Sequence, residues 1–158
     1  LSRANRVIVT ILITMIKFLE RTIPVIILLL PLNPSKGYCS EILEVLDGDT
    51  VKISAPFLPK PLKPTISLRI SGIDTPEKGF RAKCVSESIK GELAENYTRK
   101  LVTEAKSVLV LIEAEDKYFR LLGDVILNGK SLRESLLESG FALPYYGEKK
   151  PDWCKEDK

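Results

Sequence analysis

Four short segments of this 158-residue chain carry side chains with chemical capacity: Asp47-Gly48-Asp49-Thr50, Arg69, Asp74-Thr75-Pro76-Glu77 and Asp116-Lys117-Tyr118-Phe119-Arg120. Singly, each has an ordinary reading. Asp-Gly-Asp is a common turn, and here it lacks the later ligands of an EF-hand loop. Asp-Thr-Pro-Glu can cap a helix or turn, Arg69 can sit in a surface ion pair, and Asp116-Lys117-Tyr118 can be a plain loop. Together they form a chemical kit. Two carboxylates at strand ends suit a hard cation with oxygen ligands, Ca²⁺ or Mg²⁺. Glu77 is a third carboxylate, able to orient or deprotonate a water. Arg69 and Arg120 match the non-bridging oxygens of a phosphodiester, a geometry that a planar guanidinium fits better than an ammonium does. The chain has no histidine. That excludes Ser-His-Asp and Cys-His nucleophiles, the HExxH zinc helix and imidazole acid–base pairs. Metal-assisted phosphodiester hydrolysis is chemistry that the remaining set can support unaided.

The elements that must position these groups are legible as periodicity. Residues 41–46 and 50–55 read as two strands joined at Asp47-Gly48-Asp49, with Val51 and Ile53 alternating against polar neighbours. Residues 56–64 hold four prolines and read as an exposed extended loop. The third strand, 65–73, alternates Ile66, Leu68 and Ile70 with Ser67, Arg69 and Ser71, so Arg69 faces away from the apolar set. A helix is predicted over 86–106, with Ile89, Leu93, Tyr97, Leu101 and Ala105 recurring every four residues. Strands follow at 107–112 and 121–127, the second ending at Asn128-Gly129. A short helix over 131–139 has Ser131 as its cap, Glu134 three residues on and Gly140 as its stop. The fold class this implies is mainly β with helices: a five-stranded, partly open OB-fold barrel with a long helix between strands 3 and 4 and a short C-terminal helix.

Charge and cysteines bear on compartment. The whole chain has a formal charge of +3. Residues 1–37 hold five basic residues and one acid, while 38–158 hold 19 basic and 20 acidic residues. The positive excess therefore lies in the leader, and the remainder is close to neutral. Read from Met15, residues 15–37 run basic, apolar (23–32), then small and polar, the order of a secretory signal peptide. Neither apolar run reaches the ~18–20 residues of a membrane span. A cut near Gly37 would leave a domain of residues 38–158, exported to the periplasm or secreted; an uncleaved membrane anchor is the alternative. Three cysteines suit an exported protein. They allow three pairings with one thiol left over, or three unrelated thiols. Cys84 with Cys154 is the favoured pair, tying the C-terminal tail back to the domain, and the fate of Cys39 stays open.

In order and chemical type, the four segments resemble the staphylococcal (micrococcal) nuclease, or thermonuclease, family. That family carries Asp-Gly-Asp-Thr, an Arg on the third strand, Asp-Thr-Pro-Glu, a long helix, Asp-Lys-Tyr-Gly-Arg and a closing Gly-Leu-Ala. The last piece reads Gly140-Phe141-Ala142 here, and the resemblance covers residues 41–146. It implies that Asp49 and Asp74 ligate Ca²⁺ by carboxylate and Thr75 by its carbonyl. Glu77 would serve as general base or water-orienting group, and Arg69 and Arg120 would hold the scissile phosphate. Tyr118 and Tyr146 would flank the nucleotide, and Asp47 would support the metal site without ligating. DNA and RNA would be the substrates, cut to leave 3′-phosphate ends by a monomer with no stable protein partner, touching the membrane only through its leader. Phe119 departs from the family's Gly, and the loop at 56–64 looks long. Beyond Tyr146, Trp153-Cys154 stands where the founding enzyme has a third helix. It is similar to exported Gram-negative relatives ending in Trp-Cys, which supports the Cys84–Cys154 pair. A non-catalytic nucleic-acid-binding module of the same fold is the alternative; such modules usually lose the carboxylates or arginines that this chain keeps.

Overall fold

The computed structural model describes residues 36–38 and 40–155. The expected signal peptide, apart from Lys36 and Gly37, and the thiol of Cys39 lie outside the described residues. Five strands of five to eight residues match the five expected from alternation: β2 (Ile42–Asp47), β3 (Thr50–Ser54), β4 (Thr65–Ile70), β6 (Val108–Glu115) and β7 (Leu121–Leu127). Four short segments join them: β1 (Lys36–Tyr38), β5 (Ile73–Asp74), β8 (Lys130–Ser131) and β9 (Leu143–Pro144). Helix α1 spans Val85–Glu104 and α2 spans Leu132–Glu138. The expected leader boundary at residue 37 falls within β1, which pairs with β6.

The main sheet runs β1-β6-β7-β4-β3-β2, with β8 on β7, and curls into a half-barrel of the OB type. Its pairs are antiparallel except β4 with β7, which is parallel. One face carries the core. Val51, Ile53, Leu68, Ile70, Val110 and Val125 are fully buried and meet Leu132 and Leu136 of α2. Each such side chain contributes roughly 1.5–3 kcal/mol by leaving water.

Helix α1 departs from its expected face. Its buried positions are Glu87, Gly91, Ala94 and Thr98, while Tyr97, Leu101 and Val102 pack at the core's edge. Ile89 and Leu93 are about half exposed. The every-fourth-residue stripe drifts around a helix of 3.6 residues per turn, so its N-terminal members leave the seam. Small and polar residues replace them because this part of α1 lies against backbone rather than side chains. The proline-rich loop is exposed as expected, but it folds into turns: Leu58 and Leu62 donate backbone hydrogen bonds to the carbonyls of Ala55 and Pro59. Among the described residues no helix is long and apolar enough to cross a membrane.

Candidate functional site

The end of β2 and the β2–β3 turn are pinned from below by α1 and by Lys78, which precedes it. Thr98 Oγ1 donates to the Gly48 carbonyl at 2.7 Å, Lys78 Nζ to that of Leu46 at 2.9 Å, and Arg99 to that of Val45 at 3.2 Å. A Cβ on Gly48 would lie 2.9 Å from Cβ of Ala94, so only glycine lets helix and turn approach this closely. The turn thereby aims Asp49 inward, where it is almost wholly buried.

Strand register brings Arg69 to Asp49. Thr50 pairs with Arg69 across β3–β4, next to Asp49 in sequence. Arg69 grips Asp49 with two parallel contacts, Nη1 to Oδ1 at 2.9 Å and Nη2 to Oδ2 at 2.8 Å. Its Nη2 also reaches Oδ1 of Asp74 at 3.2 Å. Thr50 Oγ1 donates to Asp49 at 2.8 Å, and the Thr75 backbone N–H points at its other oxygen at 3.4 Å. Asp74 is buried on β5, which a left-handed Gly72 turns out of β4 and which pairs with β9. Burial pushes the Asp49 carboxyl up; Arg69, Thr50 and the Thr75 N–H pull against this, and the nearby Asp74 charge adds to it. Asp49, Asp74 and Glu77 bring three carboxylates to this corner, where Asp49 and Asp74 share Arg69, and Asp74 and Glu77 share Lys150. Their carboxylate oxygens are hard ligands, so the residues fit a hard divalent cation.

The second arginine arrives through the parallel pair. Leu68 faces Leu121, so Arg120 enters β7 beside Ser67 and Arg69. Asp116 organises the loop before it. Its carboxylate accepts from the backbone N–H of Tyr118 at 2.8 Å and of Arg120 at 3.1 Å, and from Arg120 Nε at 2.8 Å. This is the Asx-type local closure that Asp favours. Phe119 sits at φ 59°, a left-handed conformation that bulky residues rarely adopt, and its ring is exposed. The Lys117 and Arg120 cations lie 5.1 and 5.5 Å from the Tyr118 ring centroid.

A cleft of about 650 Å³ gathers Asp47, Asp49, Arg69, Thr75, Glu77, Tyr118 and Arg120. Asp74 borders it behind Arg69. Glu77 follows the buried Thr75-Pro76 step, and its backbone carbonyl lies against Gly91 of α1. Asp47 pairs across the turn with Thr50, which donates to Asp49. The Asp47 carboxylate receives both contacts from Arg81 Nη2, at 2.6 and 2.7 Å, and Arg81 Nε in turn reaches Glu77 at 3.5 Å. Tyr146 does not line the cleft: it is exposed, and Tyr145 lines it instead. The Tyr145 N–H is fixed on the Gly72 carbonyl, which seats this residue beside the turn into β5.

Cys84 and Cys154 form a disulfide with their Cα atoms 6.1 Å apart. Its consequence for the site is not apparent from the sequence. The tail it holds places Lys150 Nζ 3.0 Å from Asp74 and 3.1 Å from Glu77, and Trp153 Nε1 donates to Asp74 Oδ2 at 3.3 Å. The available signal was the spacing of Cys84, ten residues after Asp74, read together with Trp153-Cys154. Arg81 carried no comparable signal.

Residues 67–158 match the family model described as Staphylococcal nuclease homologue. The chain is 38% identical over 78 residues to the Staphylococcal-like nuclease CAN1 of Arabidopsis thaliana, covering 49% of this chain and 21% of that protein. It is 35% identical over 103 residues to Endonuclease YncB of Bacillus subtilis, covering 64% and 45%. It is 30% identical over 108 residues to Endonuclease YhcR of the same organism, covering 65% and 8%. The chain thus spans less than half the length of these relatives.

Proposed function

Because the chain belongs to the staphylococcal nuclease homologue family, we propose that it is a Ca²⁺-dependent endonuclease that hydrolyses DNA and RNA and leaves 3′-phosphate ends. The observation that carries this reading is the shared cleft of Asp49, Thr75, Glu77, Arg69 and Arg120, with Asp74 bound to Arg69 at its edge.

Asp49 and Asp74 would hold Ca²⁺ through their carboxylates and Thr75 through its carbonyl. The cation supplies Lewis-acid polarisation of the phosphoryl oxygen. Glu77 accepts a proton from the water that attacks phosphorus, and the bond from phosphorus to the 5′-oxygen breaks, that oxygen taking a proton from solvent to leave as the 5′-hydroxyl. Phosphate then stays on the 3′ side. Arg69 and Arg120 meet the charge that builds on the non-bridging oxygens, where each such donor contributes about 2.7–4 kcal/mol in comparable sites. Asp116 presets the direction of Arg120. Tyr118 and Tyr146 would offer a ring or hydroxyl to the nucleotide, and Tyr145, which lines the cleft, adds a third.

Export, to the periplasm or the medium, is part of the same proposal. Its support is the basic-then-apolar order of residues 15–37 and the Cys84–Cys154 disulfide, which belongs to oxidising compartments. The assay is digestion of DNA and RNA by the purified protein with Ca²⁺, and its arrest by EDTA. Robust cleavage by a Glu77→Gln, Arg69→Ala double variant, or tight DNA binding without turnover under any divalent ion, overturns the enzymatic assignment.

A further inference from the structure

The last described stretch of chain brings two side chains to Asp74, at the edge of the cleft. Trp153 donates its indole N–H to Oδ2 at 3.3 Å. Lys150 brings Nζ to 3.0 Å from Oδ1 and, on its other side, to 3.1 Å from Oε1 of Glu77. Asp74 is 2% exposed, whereas the Lys150 side chain is 42% exposed. The carboxylate is therefore fixed in the fold, while the ammonium approaches it from solvent on a flexible stem. From Tyr145 to Cys154 the tail forms neither helix nor strand. What holds it is the disulfide to Cys84, four residues beyond Lys150 and one beyond Trp153.

The two side chains differ in what they can do. An indole N–H on a rigid, half-buried ring orients one carboxylate oxygen and carries no charge. A lysine ammonium is a compact point charge with three donors and four rotatable carbons. It sits between the two carboxylates that the proposed function assigns to the cation and to the attacking water. An ammonium and a divalent ion cannot both occupy the space between Asp74 and Glu77, since each needs the same oxygens.

We propose that the disulfide-tied tail is a working part of the metal site: Lys150 is a resident cation that a divalent ion must displace, and Trp153 is a positioning residue that orients Asp74 to receive it. The inference rests on the metal reading given above. Tethering keeps the ammonium at a high effective concentration near the carboxylates. The apparent affinity for metal is then lowered by the fraction of time that Lys150 occupies the seat. Displacing Lys150 also frees Glu77 Oε1, so metal uptake and release of the general base become one event.

The test uses the full chain and Ca²⁺ alone, followed by titration calorimetry without nucleic acid, with thermal unfolding in EDTA and in saturating Ca²⁺. Lys150→Met should tighten Ca²⁺ binding about tenfold and lower the unfolding midpoint in EDTA, while leaving the midpoint in saturating Ca²⁺ at the wild-type value. Lys149→Met, which removes the same charge one residue away on an exposed side chain, should shift binding by less than about twofold. Trp153→Phe should weaken binding. If Lys150→Met binds Ca²⁺ no more tightly than Lys149→Met does, the tail's role is overturned while the metal reading survives. If neither wild type nor Lys150→Met takes up Ca²⁺, the metal reading itself is overturned, and the inference with it.

Discussion

The two arginines of the cleft are held in opposite ways. Arg69 stands within a paired strand, one residue before its end, 16% exposed, and its guanidinium is shared between two buried carboxylates. Arg120 stands at the end of a loop, 32% exposed, and leans on one carboxylate from its own turn. The first is fixed by sheet register and by burial; the second is fixed by five consecutive residues that close on Asp116. The strand half of the site is therefore inseparable from the core, and the loop and tail half is attached to it. Damage to the first should be felt in stability and function together, and damage to the second mainly in function.

The largest effect should come from pressing on that difference directly. Arg69→Ala strips both Asp49 and Asp74 of their shared partner inside the protein. Leaving buried charge uncompensated is expected to destabilise by about 3–5 kcal/mol, with cleavage reduced by at least two orders of magnitude. Arg120→Ala should reduce cleavage about as much but lower stability by less than about 1 kcal/mol, because its pair is partly solvated. Denaturant titration beside single-turnover cleavage checks both. Equal destabilisation by the two variants would dissolve the distinction.

The same division governs what the amino-acid sequence made legible. Strand alternation located Arg69 and the buried Val51, Ile53, Leu68 and Ile70, because a period of two is a local property that burial of one face enforces; Asp49 was legible only as part of the turn between the first two strands. The long helix was legible in extent to within two residues, but not in its face. Gly91 and Thr98 bury because they meet backbone at the site, and no hydrophobic pattern announces a contact of that kind. The tie of the tail to Cys84 was legible, but its contacts at the site were not, for a different reason. Lys150, Trp153 and Asp74 meet across more than 70 positions of sequence, through a disulfide rather than through any repeating element. Tyr145 and Tyr146 differ by one residue in an irregular segment, where no periodicity says which of them lines the cleft.

A smaller effect probes how α1 supports Glu77. A Cβ on Gly91 would fall 2.6 Å from the Glu77 carbonyl oxygen and 2.9 Å from that of Pro76. Both are backbone atoms, which cannot rotate away. Gly91→Ala gains up to about 1 kcal/mol of helix propensity, but overpacking against backbone costs about 1–3 kcal/mol. The net expectation is a modest loss of stability. Cleavage should fall further than stability does, by up to about 10²-fold, because a displacement near 1 Å at a catalytic carboxylate has that consequence. Parallel unfolding and cleavage measurements decide it. A more stable and fully active Gly91→Ala would show that α1 does not position Glu77.

The smallest effect concerns the Asp116 turn and carries a sign in pH. Burial pushes the Asp116 carboxyl up, but the Arg120 backbone N–H, the Arg120 guanidinium and the Tyr118 N–H outweigh it and hold the carboxyl below its usual range. A carboxyl whose folded value is depressed stabilises the fold above its unfolded pKa, about 3.9. It loses that contribution as pH falls through the lower folded value. Asp116→Asn removes the ionised form altogether, so wild type should be the more stable protein at pH 7, by less than about 1 kcal/mol. The gap between their unfolding midpoints should hold from pH 7 to about 5 and close on further acidification, as wild type loses the charge the variant never had. Because the turn lies outside the core, the change should appear without loss of cooperativity. A gap that widens in acid would mean that Asp116 is protonated, not ionised, in the folded loop, and that Arg120 is oriented by something other than its charge.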